Sequence, residues 1–232
     1  MIDIHCHVLP GVDDGARNEK ETNEMLARAA DAGISSVVCT PHVYHPENQL
    51  ENRKALLRSR DIAHQNGVSL SMGCEFNYRA LAKIQDYALS PYCLAGTPCI
   101  LLEFSNDRLF PDWEIALTDI VSRGYLPIIA HPERYSYVQK DIGLAQQMIS
   151  FGCELQVDAG GLMAGMLSAE RKTARKLLSE GMVAYIASDA HRPEHYKTFE
   201  KAYAAFRHEW PGTNQLTEQM ALLRQRRRNN AE

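Results

Sequence analysis

The sequence predicts an α/β fold whose parallel strands close, or nearly close, into a barrel. Two observations carry this expectation: seven short β-branched or apolar runs alternate with longer stretches of helical spacing, and no linker, repeat or low-complexity block divides the 232 residues. Strands separated by helices pair in parallel through right-handed crossovers, and an unbroken series of such units bends towards closure. One continuous domain over residues 1–232 is expected, with the barrel spanning about 1–207 and a helical, arginine-rich extension over about 213–232.

In chain order, the first strand is expected over residues 2–5 and the first helix over 20–32, stopped by Gly33. Ser-Val-Val-Cys makes the second strand at 36–39; a helix at 49–66 then ends at Gly67. A third strand follows at 69–74, after which the segment beyond Glu75 shows no clear period. The run 99–104 is the fourth strand, with a helix at 111–122 ending before Gly124, and 126–130 is the fifth. Helix 144–151 before Gly152, strand 154–157, helix 169–180 before Gly181, strand 183–187 and helix 193–206 complete the series. Glycine just past the last periodic residue is a common helix stop.

Composition narrows the function. With 45% hydrophobic and 23% charged residues the chain can build a core, and disordered, collagen-like and disulfide-framework classes are excluded. A net charge of -4 leaves no global basic field for nucleic acid or an anionic membrane. Apolar runs such as residues 183–187 are far shorter than the ~20 residues a membrane span needs, so no transmembrane segment is expected. The start Met1-Ile2-Asp3-Ile4-His5 lacks the basic and apolar regions of a secretory signal, and a cytoplasmic location is expected. The six cysteines show no CxxC spacing and are expected to be reduced; none opens a Cys-x5-Arg loop, which removes the cysteine-nucleophile route to phosphoester cleavage.

The polar residues at the strand ends are the informative feature. His5 and His7 come after the first strand, His42 after the second, Glu75 after the third; Glu103 lies in the fourth, His131 comes after the fifth, and Asp189 and His191 after the seventh. Six of the seven predicted strand ends thus carry a side chain of metal-ligand type. In an α/β barrel the site is built on the C-terminal strand ends, so residues far apart in sequence converge. His5 and His7 on an extended segment point to one side and can chelate one cation, and Asp189 with His191 repeats the spacing. Mixed imidazole and carboxylate ligands in this number exceed the needs of one tetrahedral ion and suit two or three bridged Mn, Fe or Zn ions. Such a cluster lowers the pKa of a bound water and clamps a phosphoryl group. Each histidine alone reads as a hydrogen-bonded structural residue, and Glu103 alone as an arginine partner; the shared position on the strands favours a common role. His64 and His208 read as surface residues, with His45 and His195 as secondary site candidates.

Asp3-x-His5-x-His7, Gly11-Val12-Asp13-Asp14-Gly15, Thr40-Pro41-His42, Glu75, Leu102-Glu103-Phe104, Ala130-His131-Pro132-Glu133-Arg134-Tyr135 and Ser188-Asp189-Ala190-His191 together resemble the polymerase-and-histidinol-phosphatase superfamily. More narrowly, the double-Asp loop and His-Pro-Glu-Arg-Tyr resemble its bacterial manganese-dependent tyrosine phosphatases of capsule and exopolysaccharide loci, over residues 1–207. The resemblance implies a distorted seven-stranded TIM-like (β/α) barrel holding three divalent ions, Mn²⁺ first, with Fe or Zn as alternatives. It implies metal ligands at His5, His7, Asp14, His42, Glu75, Glu103, His131, Asp189 and His191, and the substrate is the phosphotyrosine tail of a bacterial tyrosine kinase. Asp14 enters the set from the resemblance alone; spacing reads it as an Asp-Gly turn.

Arg134 falls on the phosphate-binding arginine, its alternative being a salt bridge to Glu133 or a surface acid. The second arginine usual after Ser-Asp-x-His is missing from its place, which leaves Arg192 and Lys197 as substrate-binding candidates. The expected reaction is in-line attack of a metal-bridging hydroxide on phosphorus, with Asp14 or a coordinated water protonating the phenolate. The basic run Arg224-Gln225-Arg226-Arg227-Arg228 is a solvated helix end or a dock for an acidic kinase tail. Two other functions fit the same residues: hydrolysis of a small phosphoester such as histidinol phosphate, and a metal-stabilised module that binds a partner without catalysis. The short loops after His42 and Glu103 favour a peptide substrate over a small ester. Oligomeric state is left open.

Overall fold

A computed structural model describes residues 1–84 and 88–210. The arginine run and the expected extension at 213–232 lie outside the described residues. Among the described residues the strands are β1 (Ile2–Cys6), β2 (Ser36–Cys39), β3 (His42–Val43), β4 (Ser69–Met72), β5 (Glu75–Asn77), β6 (Cys99–Glu103), β7 (Leu126–Ala130), β8 (Glu154–Asp158) and β9 (Val183–Ala187). The helices are α1 (Glu19–Asp31), α2 (Gln49–Gln65), α3 (Trp113–Ser122), α4 (Ser136–Lys140), α5 (Gly143–Ser150), α6 (Ala159–Met163), α7 (Ala169–Ser179) and α8 (His195–Phe206). Side chains start two of these helices: Asn18 accepts the Glu21 amide before α1, and Ser168 accepts the Arg171 amide before α7. The five glycines expected as helix stops all hold positive φ.

All strand pairs are parallel, in two sheets ordered β1-β2-β4 and β3-β5-β6-β7-β8-β9. The expected third strand is corrected here. It breaks into β4 and β5 because the chain crosses from one sheet to the other at Gly73-Cys74, where a Cβ on Gly73 would lie 2.6 Å from the Leu94 side chain. β2 and β3 part in the same way at Pro41, which has no N–H for a ladder. Opposite these crossings the edges meet again: Cys6 bridges Ala190 in parallel, the His7 amide donates to Ala190 O at 2.9 Å and the Asp189 amide to His5 O at 2.9 Å. Among the described residues, the segment after β5 carries 3₁₀ turns at Tyr78–Lys83, Ser90–Tyr92 and Leu94–Gly96, too short to leave a period in sequence.

Two apolar clusters hold the strands. The larger lies between the sheets and the helices and includes Ile100, Leu102, Ile129, Leu155 and Val157. The smaller takes Ile4 and Val38 from the first sheet and Cys99, Leu101, Ile128, Ala130, Tyr185 and Ala187 from the second, so strands of both sheets face one interior. Alternate residues of β6 and β7 enter different clusters, as the strand repeat requires, and this explains why their sequences read as continuous apolar runs. The six cysteines are buried and form no disulfide. No described helix is long and apolar enough to cross a membrane.

Candidate metal centre

Each parallel strand ends on the same side of the fold, and the polar residues at those ends converge. Glu75 is the hub. Its Oε1 lies 2.6 Å from His131 Nε2, and its Oε2 lies 3.3 Å from His5 Nε2, 3.4 Å from His7 Nε2 and 3.0 Å from His42 Nδ1. Asp189 Oδ1 completes the inner group at 3.3 Å from His5 Nε2 and 3.2 Å from His7 Nε2. Three sets offer one ligand atom per residue within 4.8 Å of each other: His5, His7, Glu75 and Asp189; His7, Asp14, His42 and His191; and His42, Glu75 and Glu103. His131 joins through its contact with Glu75 rather than within one of these sets.

Neighbours set the ring tautomers. His5 Nδ1 donates to Gln156 Oε1 at 2.8 Å; the amide orientation is fixed because Gln156 Nε2 donates to Asp158 Oδ1, also at 2.8 Å. His7 Nδ1 donates to Asp13 Oδ2 at 2.7 Å, and His191 Nδ1 to the Asp189 carbonyl at 2.9 Å. Both His5 and His7 therefore turn Nε2 inward, where these atoms stand 3.3 Å apart. Glu75 Oε2 and Asp189 Oδ1 face the same space, buried and without a hydrogen-bond donor. Lone pairs gathered this way repel one another unless a positive charge sits between them, and the donor set fits a divalent cation. Burial alone would push His5 down, yet Glu75 and Asp189 push it up to about 10. Burial likewise favours the neutral form of Glu75, but His5, His131 and His42 hold its carboxyl well below the usual range.

Backbone geometry shows what this arrangement costs. Among the described residues the non-glycine positions at positive φ include His131 at 33° and Asp189 at 46°, both at strand ends in the centre. Gly15, in the double-Asp loop, passes so close to β1 that a Cβ there would lie 2.0 Å from His7 O. Gly15→Ala is expected to destabilise the fold by about 3 kcal/mol in urea denaturation, with lower metal content at saturation, because the loop holding Asp13 against His7 must move. Wild-type stability and metal content in this variant would show the close approach to be unimportant.

Arg134 stands beside the centre on the turn after β7. Its Nη2 forms an ion pair with Asp158 Oδ2 at 2.5 Å and donates to Asp189 Oδ2 at 2.6 Å, while a third of the side chain stays exposed. These buried acids, and not Glu133, are its partners. Sequence reasoning misses Asp158, although it stands at the one predicted strand end left without a polar residue; the rule that finds the others points to it. Gln156, Asp13 and Glu133 are missed as well. Glu133 is fully buried and accepts the Asp158 amide at 2.8 Å, and burial together with the nearby Asp158 charge raises it to about 8. No spacing rule singles out residues whose task is to hold other residues.

Two expected substrate contacts point elsewhere. Arg192 Nη1 donates to the carbonyls of Asp14, Gly15 and His191, tying the double-Asp loop to the end of β9. Lys197 lines a separate cleft with Arg28, Asp31 and Glu194, because successive residues of α8 face different sides. His45 pairs with Glu47 and Lys83 away from the cluster, whereas His195 lies next to it, its Nδ1 accepting the His191 amide at 3.2 Å.

The family model "Capsular polysaccharide synthesis, CpsB/CapC" matches residues 1–209. The chain belongs to the CpsB/CapC family. Among CpsB/CapC relatives, the tyrosine-protein phosphatase YwqE of Bacillus subtilis is 32% identical over 218 residues, 88% of this chain and 83% of that protein. Tyrosine-protein phosphatase CpsB of Streptococcus pneumoniae is 28% identical, over 88% of this chain and 92% of its own. A crystal structure from work on YwqE and CpsB, metal-dependent tyrosine phosphatases, matches with a TM-score of 0.72 and 27% identity, covering 92% of this chain and 89% of that one.

Proposed function

We propose that this chain is a metal-dependent protein-tyrosine phosphatase acting on the phosphotyrosine tail of a bacterial tyrosine kinase that controls capsule or exopolysaccharide synthesis. The observation that carries the reading is the convergence of His5 Nε2, His7 Nε2, Glu75 Oε2 and Asp189 Oδ1 on one buried space with Arg134 at its side. The relatives' activity and the fold they share support it. We read the two sheets as a distorted seven-stranded barrel within one domain, supported by the Cys6–Ala190 bridge and by the interior cluster drawn from both. The cytoplasm fits six cysteines that form no disulfide, and a net charge of -4 fits a protein rather than a nucleic-acid partner.

We read the centre as holding three divalent cations, Mn²⁺ or else Fe or Zn, which would be held by the sets His5, His7, Glu75 and Asp189; His7, Asp14, His42 and His191; and His42, Glu75 and Glu103, with His131 beside Glu75. When bound, such ions polarise the phosphoryl oxygens and supply a nucleophilic water at neutral pH. The chain's own residues do the rest. Gln156 and Asp13 hold the two innermost imidazoles in the ligand tautomer. Arg134, fixed by Asp158 and Asp189, presents its exposed edge to the phosphoryl group and neutralises the charge that grows there. A carboxylate serving a cation carries no proton, so Asp14 adds little as an acid, and a phenolate leaving group of pKa ~10 needs little protonation. The rim suits a protein substrate: Asp14 is 70% exposed and Tyr44, stacked on His42, is 46% exposed.

Phosphate release from a tyrosine-phosphorylated peptide, measured after EDTA treatment and return of Mn²⁺, Zn²⁺ or Mg²⁺, tests this reading, with histidinol phosphate in parallel. Metal-dependent release from the peptide is expected. Release from the small ester alone would replace the substrate class, and release from neither would leave a partner-binding module.

A further inference from the structure

We propose that His195 is a substrate-contacting residue that grips the phosphoryl group from the α8 side while Arg134 grips it from the β7 side; this rests on the phosphatase reading above. A cleft of about 410 Å³ opens at the edge of the metal centre, lined by Arg134, Gly160, Asp189, His191, His195 and Thr198 among others. It shares Asp189 and His191 with the cluster, so a phosphoryl group held at the centre would lie at its mouth.

The chemistry of the cleft wall singles out His195. Arg134 alone faces a group with three oxygens, and its Nη2 is already shared between Asp158 and Asp189. The other cations of this region point away: Arg192 is spent on three backbone carbonyls and Lys197 lies in the cleft beside Arg28. His191 donates Nδ1–H to the Asp189 carbonyl and turns Nε2 towards Asp14, 3.3 Å away, so it serves the centre. His195 differs from all of these. Its Nδ1 accepts the His191 amide at 3.2 Å, which places the ring proton on Nε2. The ring is half-buried in the cleft wall, and among the described residues Nε2–H has no partner. A fixed N–H donor beside an arginine adds a hydrogen bond to an anion.

The test uses the Mn²⁺-loaded full chain and the variants His195→Phe, which keeps the ring volume, and His195→Gln, whose side-chain amide can present N–H near the place of Nε2. Binding of inorganic phosphate is measured by calorimetry, with metal content by elemental analysis and kcat and KM on the phosphotyrosyl peptide. His195→Phe is expected to weaken phosphate binding by about 10- to 100-fold, as loss of a hydrogen bond to a charged group does, and to raise KM in step at unchanged metal content. His195→Gln should recover most of that loss. Unchanged phosphate affinity in His195→Phe would overturn the proposal. So would a loss that tracks loss of metal, since His195 would then serve only to hold His191. If the wild-type protein releases no phosphate from the peptide but binds phosphate in a His195-dependent way, the contact stands and the phosphatase reading fails.

Discussion

Replacing Glu75 with glutamine is expected to lower kcat/KM on a phosphotyrosyl peptide by at least about 10³-fold, since the charge stabilisation that bound cations would supply is worth several kcal/mol and each 1.36 kcal/mol is tenfold. The two oxygens of Glu75 reach His131, His5, His7 and His42 within 3.4 Å. Glutamine has the same shape but no charge, and its NH₂ would face ring nitrogens already turned inward. Metal content at saturation should fall with the rate. A second signature comes from His5, which the carboxylates push up to about 10. Below that pH an incoming cation must expel the ring proton, so metal uptake by the stripped wild-type protein releases protons and strengthens as pH rises. Without the Glu75 charge His5 titrates lower, and proton release near neutral pH should shrink. Full metal content and an unchanged rate in Glu75→Gln would remove the residue from the centre.

Arg134→Ala is expected to cost about 10²- to 10³-fold in kcat, the usual effect of removing one fixed donor aimed at developing charge. It leaves Asp158 and Asp189, both buried, facing one another without their shared cation. Discounted for the third of the side chain that water reaches, the stability loss is about 2 kcal/mol in urea denaturation. Arg134→Lys separates the two effects. Its ammonium should restore most of the stability by sitting between the acids but little of the rate, because a point charge lacks the planar fork that spans two phosphoryl oxygens. If Arg134→Ala kept full activity, the guanidinium would be a structural tie between β8 and β9 and nothing more.

Much of this protein is legible in its sequence, and the reasons are local. Six helices and most strand positions can be read because an amphipathic helix and a buried strand impose their periods within a dozen residues. Asn18, Ser168 and the helix-ending glycines punctuate them with chemistry that acts over one turn. The ligand-type residues are legible because parallel strands all end on one side, so a polar residue after an apolar run is placed without knowledge of its neighbours. Asp14 is not legible this way, since it lies in a loop, and only motif resemblance brings it into the set.

The sequence by itself determined the alternation of strand and helix, the side of the fold on which chemistry would gather, and the residue types gathered there. Tertiary structure alone decided where Pro41 and Gly73 divide the sheet, since a ladder breaks according to what packs across it. It alone showed that Asp158 and Asp189 share Arg134, that Asp13 and Gln156 fix the imidazoles, and that Arg192 holds a loop while His195 lines the cleft. These are contacts between residues up to 178 positions apart, as Arg192 and Asp14 are. Side-chain direction depends on φ, ψ and the neighbours across the interior, and no local pattern encodes those neighbours.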